Sequence, residues 1–218
     1  MTMRQFAVIG MGIFGASIAT TLFEMGHDVL AMDKNEEKVQ EITDRVTHAV
    51  QADSTNEDAL LALGIKNFDV AIVSIGQDIQ ANILTTLILK EIGVKQVVAK
   101  ARTELHGKVL YRIGADRVIF PERDMGIRVA HNLVAANIID YIELSPDFSI
   151  VEIVAPESIA GRSLSDLDMR VRYGVNVIAI KKAQGEINLT PKAENLIAHG
   201  DIMIVAGKNK NIRKLETL

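Results

Sequence analysis

The sequence predicts an α/β protein: a Rossmann-type doubly wound parallel sheet, then a long crossover helix, then a small α+β C-terminal domain. Three observations predict it. Short apolar runs alternate with helical patterns through residues 1–120. A glycine-rich run, Gly10-Met11-Gly12-Ile13-Phe14-Gly15, stands between the first strand and the first helix. The rhythm changes at Pro121, after which one helical pattern replaces the alternation.

Residues 5–9 form an apolar strand, and residues 16–25 a helix stopped by Gly26. Residues 28–32 read as the second strand, 36–46 as a helix and 49–51 as a short third strand. A helix over 57–63 ends at Gly64. The fourth strand, 70–74, is continuously apolar, as a strand covered on both faces requires. A helix over 78–92 closes at Gly93; the fifth strand is 96–99, the next helix 103–113 and the sixth strand 117–119. A crossover segment, 121–144, follows, read as one helix from about 123 to 141 with Met125, Val129, Leu133 and Ala136 on one face. That apolar face predicts packing either on the chain's own sheet or on a partner subunit, the partner being favoured because the sheet already has helices for both faces. Residues 145–149 read as a linker opening the C-terminal domain, 145–218. Its strands are expected at 150–154, 176–181, 186–189 and 202–206, with helices at 165–172 and 212–215. A domain of this size is marginal alone and predicts dimerisation.

Composition narrows the function classes. The 218 residues contain no cysteine, which excludes disulfides and thiolate chemistry. The net charge of −4 disfavours nucleic acid as a partner, because phosphate neutralisation drives that affinity. The N-terminus lacks the layout of a signal peptide, and no apolar run approaches the roughly 18 residues of a membrane span, so a soluble chain is expected. There is no G-x-S-x-G elbow, the five histidines show no paired zinc spacing, and the C-terminal third offers no acid/base cluster. No catalytic residues are assigned.

The glycine run fits a dinucleotide-binding loop. Gly10 makes the tight turn, Gly12 admits a pyrophosphate to the backbone, and Gly15 allows close helix–strand packing. Ile13 and Phe14 complete the loop. The helix N-terminus beyond it offers N–H groups and partial positive charge to phosphates. The same run lacks a P-loop lysine, since Ala16 stands in its place. Asp33 ends the second strand, close to the expected spacing of roughly 20 residues, and suits a ribose diol while repelling a 2′-phosphate. Lys34 follows it. Asp53 and Ser54 follow the third strand and suit the base and sugar; Ser74, Ile75 and Gly76 follow the fourth and suit the phosphates. Lys100 and Arg102 follow the fifth, either to offset phosphate charge or to form a salt bridge.

These residues resemble, over essentially the whole chain, the KtrA/TrkA-type RCK (regulator of conductance of K+) family, cytosolic gating subunits of bacterial potassium transporters. The resemblance rests on Gly26-His27-Asp28-Val29-Leu30-Ala31-Met32-Asp33, Ile113-Gly114-Ala115-Asp116-Arg117-Val118, Pro121-Glu122-Arg123-Asp124-Met125-Gly126 and Tyr173-Gly174-Val175-Asn176. It implies a homo-octameric ring of dimers, docked at the inner face of the membrane beneath a transporter subunit of KtrB or TrkH type. It implies ATP, ADP or NAD(H) in the Rossmann crevice and a divalent cation, Mg or Ca, at Glu122. It implies cyclic di-AMP near Leu164, Arg170, Asn176, Ile178 and Pro191, as in some members, although Arg170 reads equally as a surface helix arginine. One position departs: the family usually carries Arg where this chain has Ile13, which implies weaker ATP-over-ADP discrimination. Two alternatives stay open, an NAD-dependent oxidoreductase and a nucleotide or redox sensor with another partner.

Overall fold

The computed structural model describes residues 3–134 and 138–215. The chain divides into two compact units between Glu122 and Arg123.

In the first unit β1 (Gln5–Ile9), α1 (Ile13–Glu24), β2 (Asp28–Asp33), α2 (Glu36–Ile42), β3 (His48–Gln51) and α3 (Glu57–Ala62) are followed by β4 (Val70–Val73), α4 (Ile79–Glu91), β5 (Val97–Lys100), α5 (Glu104–Arg112) and β6 (Arg117–Ile119). The strands pair in parallel in the order β3-β2-β1-β4-β5-β6. This is the doubly wound sheet, and its order reverses between β1 and β4. Alternate residues of each strand serve opposite faces. Ala7, Ile9, Leu30, Met32, Ala71 and Val73 pack with Leu60, Leu89 and Leu110. Phe6, Val8, Val29, Ala31, Val70 and Ile72 pack with Ala19 and Ile42. Burying both faces is what makes these strands continuously apolar. Helix starts are set by short polar side chains: Asn35, Asn56, Asp78 and Thr103 accept from backbone N–H groups of α2, α3, α4 and α5.

Helix α6 (Pro121–Val134) begins at its proline, a residue suited to the first helical position. Met125, Val129 and Leu133 are exposed, while Ala136 lies outside the described residues. The expected helix through residue 141 is corrected: residues 138–145 form strand β7 (Ile138–Ser145), not helix. The expected linker at 145–149 is likewise the turn of a hairpin into β8 (Phe148–Val154). Ile138, Ile139, Tyr141 and Ile142 are β-branched or aromatic, and pairing with β8 favours the extended form. Arg128 of α6 makes a two-pronged ion pair with Asp140 of β7.

The rest of the second unit is α7 (Leu164–Leu167), α8 (Met169–Arg172), β9 (Val175–Lys181), β10 (Ile187–Asn188), β11 (Ile202–Lys208) and α9 (Asn209–Ile212). Its antiparallel sheet runs β10-β9-β11-β8-β7. One side of it buries Val151, Ile153, Ile180, Met203 and Val205 with Leu167, Ile197 and Ile212. The single helix expected over 165–172 is two turns. Asp168, at φ 42°, adopts the left-handed conformation and breaks it. Ser163 and Asp166 form a capping box that fixes the first turn. Asp201 is buried just before the central strand β11, where Lys182 Nζ lies 2.8 Å away and Ala198 N–H donates to it.

Candidate functional site

The crevice sits at the carboxyl ends of β1 and β4, where the strand order reverses. Gly10 leaves β1 at φ +97°, a conformation that favours glycine, and its N–H donates to Met32 O. A Cβ at Gly10 would stand 3.0 Å from Ile75 N. At Gly15 it would overlap the Gly10 carbonyl oxygen and Ser74 Oγ. The loop after β4 is therefore pressed onto the glycine loop, and Ser74 staples the two: its N–H donates to Ile9 O and its hydroxyl to Gly10 O.

Gly12 differs from both. It caps α1 with ordinary extended dihedrals, no side chain caps the helix, and a Cβ there would meet nothing within 4 Å. The first-turn N–H groups of α1 have no intrahelical acceptor and stand available as donors. No acidic residue occupies that turn. Ile13 is 96% exposed at the mouth, and Phe14 is half-buried.

Asp33 lies beside the loop, 9% exposed. Met11 N–H donates to its Oδ2 at 2.6 Å and Asn35 N–H to its Oδ1 at 2.9 Å. These bonds orient the carboxylate and leave further lone pairs. Lys34 is exposed, and its carbonyl accepts from Gln51. Asp53 is exposed; the Thr55 N–H, then the Thr55 hydroxyl, hold its carboxyl below the usual range against the effect of burial, with Lys34 adding to them. Ser54 is buried, and its hydroxyl is 2.8 Å from Thr85 Oγ1, so it is turned into the molecule. Ile75 and Gly76 are half-buried beside the glycine loop.

Lys100 ends β5 nearly buried. It makes a short ion pair with Glu122 in the first turn of α6 and sits 5.5 Å from the centre of the Phe14 ring. The hydrogen bond from Lys100 holds the Glu122 carboxyl below its usual range, with Arg102 contributing charge and burial opposing. Arg102 is exposed. Among the described residues no three His, Asp or Glu side chains converge as a metal site. Glu122 is itself already paired with the Lys100 ammonium.

In the second unit, Leu164 packs against the core, Arg170 is exposed on α8, and Asn176 and Ile178 stand exposed on one face of β9. Pro191 is half-buried in the loop after β10.

Sequence reasoning missed Asn82. It is fully buried on α4, and its Nδ2 donates to Ile75 O at 2.7 Å and Lys100 O at 3.1 Å. One amide thereby ties the loops after β4 and β5. The signal was available: Asn82, Thr85, Thr86 and Leu89 share the buried helical stripe, and three of the four are polar.

Known proteins resemble this chain over its whole length. The TrkA-N domain matches residues 6–121 and the TrkA-C domain residues 148–218. The Ktr system potassium uptake protein C of Bacillus subtilis (strain 168) is 51% identical over 98% of this chain and 96% of its own. The GsuK RCK domain superposes with a TM-score of 0.69 at 19% identity, covering 100% of this chain and 48% of that one, which speaks for the fold. GsuK bound to ADP aligns at 28% identity and a TM-score of 0.53, over 61% of this chain and 34% of that one. No described helix is long and apolar enough to cross a membrane.

Proposed function

The chain belongs to the family that joins TrkA-N and TrkA-C domains, that of the Ktr potassium-uptake proteins, and from this premise we propose that it is the regulatory, gating subunit of a potassium transporter. Its task is to bind adenine nucleotides and pass their occupancy to a membrane partner at the inner face of the membrane. It does no chemistry on them.

The observation that carries the nucleotide part is the open, uncapped start of α1 at Gly12, with the oriented Asp33 carboxylate alongside. Phosphate oxygens lie over the α1 amides, which need no side-chain donor. Asp33 accepts from the ribose diol, and its charge disfavours a 2′-phosphate, so ATP, ADP or NAD(H) is favoured over NADP. The ADP-bound structure of GsuK, 28% identical over the aligned region, supports this ligand class. With Ile13 uncharged at the mouth, a γ-phosphate gains no cation there, and ATP is not strongly preferred over ADP.

Binding gates the partner only if the nucleotide has different affinity for two states of the assembly. The exposed apolar face of α6, with Met125, Val129 and Leu133, supports association with a second copy and the dimer-built octameric ring. Asn176 and Ile178, with Arg170 nearby in the chain, are proposed to receive cyclic di-AMP. Glu122 bound to Lys100 does not by itself build a divalent cation site, and no step is assigned to one.

The test is calorimetric titration of the full chain with ADP, ATP, NADH and NADPH. Saturable binding of the first three and weak binding of NADPH is expected. Absence of binding by any adenine compound at millimolar levels contradicts the proposal.

A further inference from the structure

We propose that Lys100 and Glu122 form an anion-sensitive latch, in which the phosphates of a bound adenine nucleotide compete with Glu122 for the Lys100 ammonium and loosen the start of α6. The latch rests on the nucleotide reading above and assigns it a route of regulation.

The two partners are unequal. The Lys100 side chain is 10% exposed and that of Glu122 68%. A nearly buried ammonium requires an anion, because a lone buried charge is costly. An exposed carboxylate loses little on returning to water. The cation is the fixed member of the pair and Glu122 the replaceable one.

Lys100 also sits where a second anion would arrive. An atom at the β position of Gly76 would be 3.4 Å from Lys100 Nζ, and the Phe14 ring centre is 5.5 Å from it. Gly76 and Phe14 belong to the two segments flanking the switch point, and phosphates laid on the α1 amides lie between them. Lysine is a point charge with three rotatable donors, so it can turn from one anion to another. A phosphate and Glu122 also repel each other across a shared cation. Glu122 lies in the first turn of α6, and α6 continues past the boundary between the units. The state of the latch is therefore written into that helix.

Linkage fixes the sign. If the nucleotide weakens the Glu122–Lys100 pair, the pair weakens nucleotide binding by the same factor. Titration of the full chain with ADP in the presence of a chelator, without divalent cations, is expected to show Glu122→Gln binding about fivefold tighter than the natural chain. Lys100→Met binds more weakly than the natural chain. Hydrogen exchange supplies a readout that loss of a merely structural contact would not give. ADP speeds exchange at residues 125–128 of the natural chain and leaves Glu122→Gln unchanged. Equal or weaker ADP binding by Glu122→Gln, or slower exchange at 125–128 with ADP, overturns the latch. Glu122 is exposed, so this variant stands even if Lys100→Met fails to fold. If the natural chain takes up no ADP, the nucleotide reading fails and the latch with it. If it binds ADP but Glu122→Gln does not bind more tightly, the latch alone fails.

Discussion

At Gly15 a single added methyl group would overlap backbone and a buried hydroxyl, and neither can retreat as a flexible side chain would. Overpacking of that kind typically costs 1–3 kcal/mol, so Gly15→Ala should lower the denaturation midpoint by about that much, read in urea. Asn82 poses a different problem. Replacing it by Ala leaves the Ile75 and Lys100 carbonyls without its two donors. Buried groups left unsatisfied cost about 1–3 kcal/mol, so Asn82→Ala is expected to lose both stability and ADP affinity. Asp33→Ala, by contrast, should weaken ADP binding on the order of tenfold or more, the scale of a lost charged hydrogen bond. Of these residues, Gly15 and Asp33 were legible, because motif spacing announces them. The pairing of Lys100 with Glu122 was not, since 22 residues and two further elements separate them in the chain.

At the scale of elements, the first unit was readable because each strand is an uninterrupted apolar run and each helix has a local start or stop. Those signals are encoded within a few residues. Strand β7 was misread because its apolar letters satisfy helical and extended spacing alike, and the deciding partner, β8, is a tertiary fact. The break in the expected helix over 165–172 is local but subtle. Asp168 is the one non-glycine residue with positive φ among the described residues. Asp tolerates the left-handed region better than Ala does. Asp168→Ala should therefore destabilise the chain by about 1 kcal/mol, while Asp168→Gly stays near neutral, both measured by thermal melting.

For the whole molecule, acid is the informative variable. Burial, the largest influence on Asp201, pushes its pKa up, but the Lys182 contact and the Ala198 N–H outweigh it and leave the carboxyl below its usual range. Asp116 is lowered in the same way, burial again opposing Lys90 and the Val97 N–H. A carboxylate with a depressed folded pKa contributes stability above its unfolded value, which is lost as pH falls through the folded one. Both units should hold steady near neutrality and lose stability below about pH 4. His106 adds an earlier slope. Burial first, then the charge of Arg102, lowers its pKa, so the unfolded chain takes up that proton sooner. Stability should begin to decline as pH falls below about 6.5, and His106→Gln should flatten that part of the curve. The assembly is a property of the same scale: native mass measurement is expected to find multiples of a dimer, with Leu133→Glu and Val129→Glu together reducing them.

The central claim is that phosphates rest on the uncapped amides at Gly12, and Gly12→Val tests it most directly. The space there is open and the dihedrals are ordinary, so the variant should fold, with a melting temperature lowered by no more than the loss of a glycine helix cap. Its isopropyl group then fills the place where phosphate oxygens must lie. Calorimetry should find ADP binding to the natural chain and none to Gly12→Val. Equal affinity in a folded Gly12→Val would contradict the account.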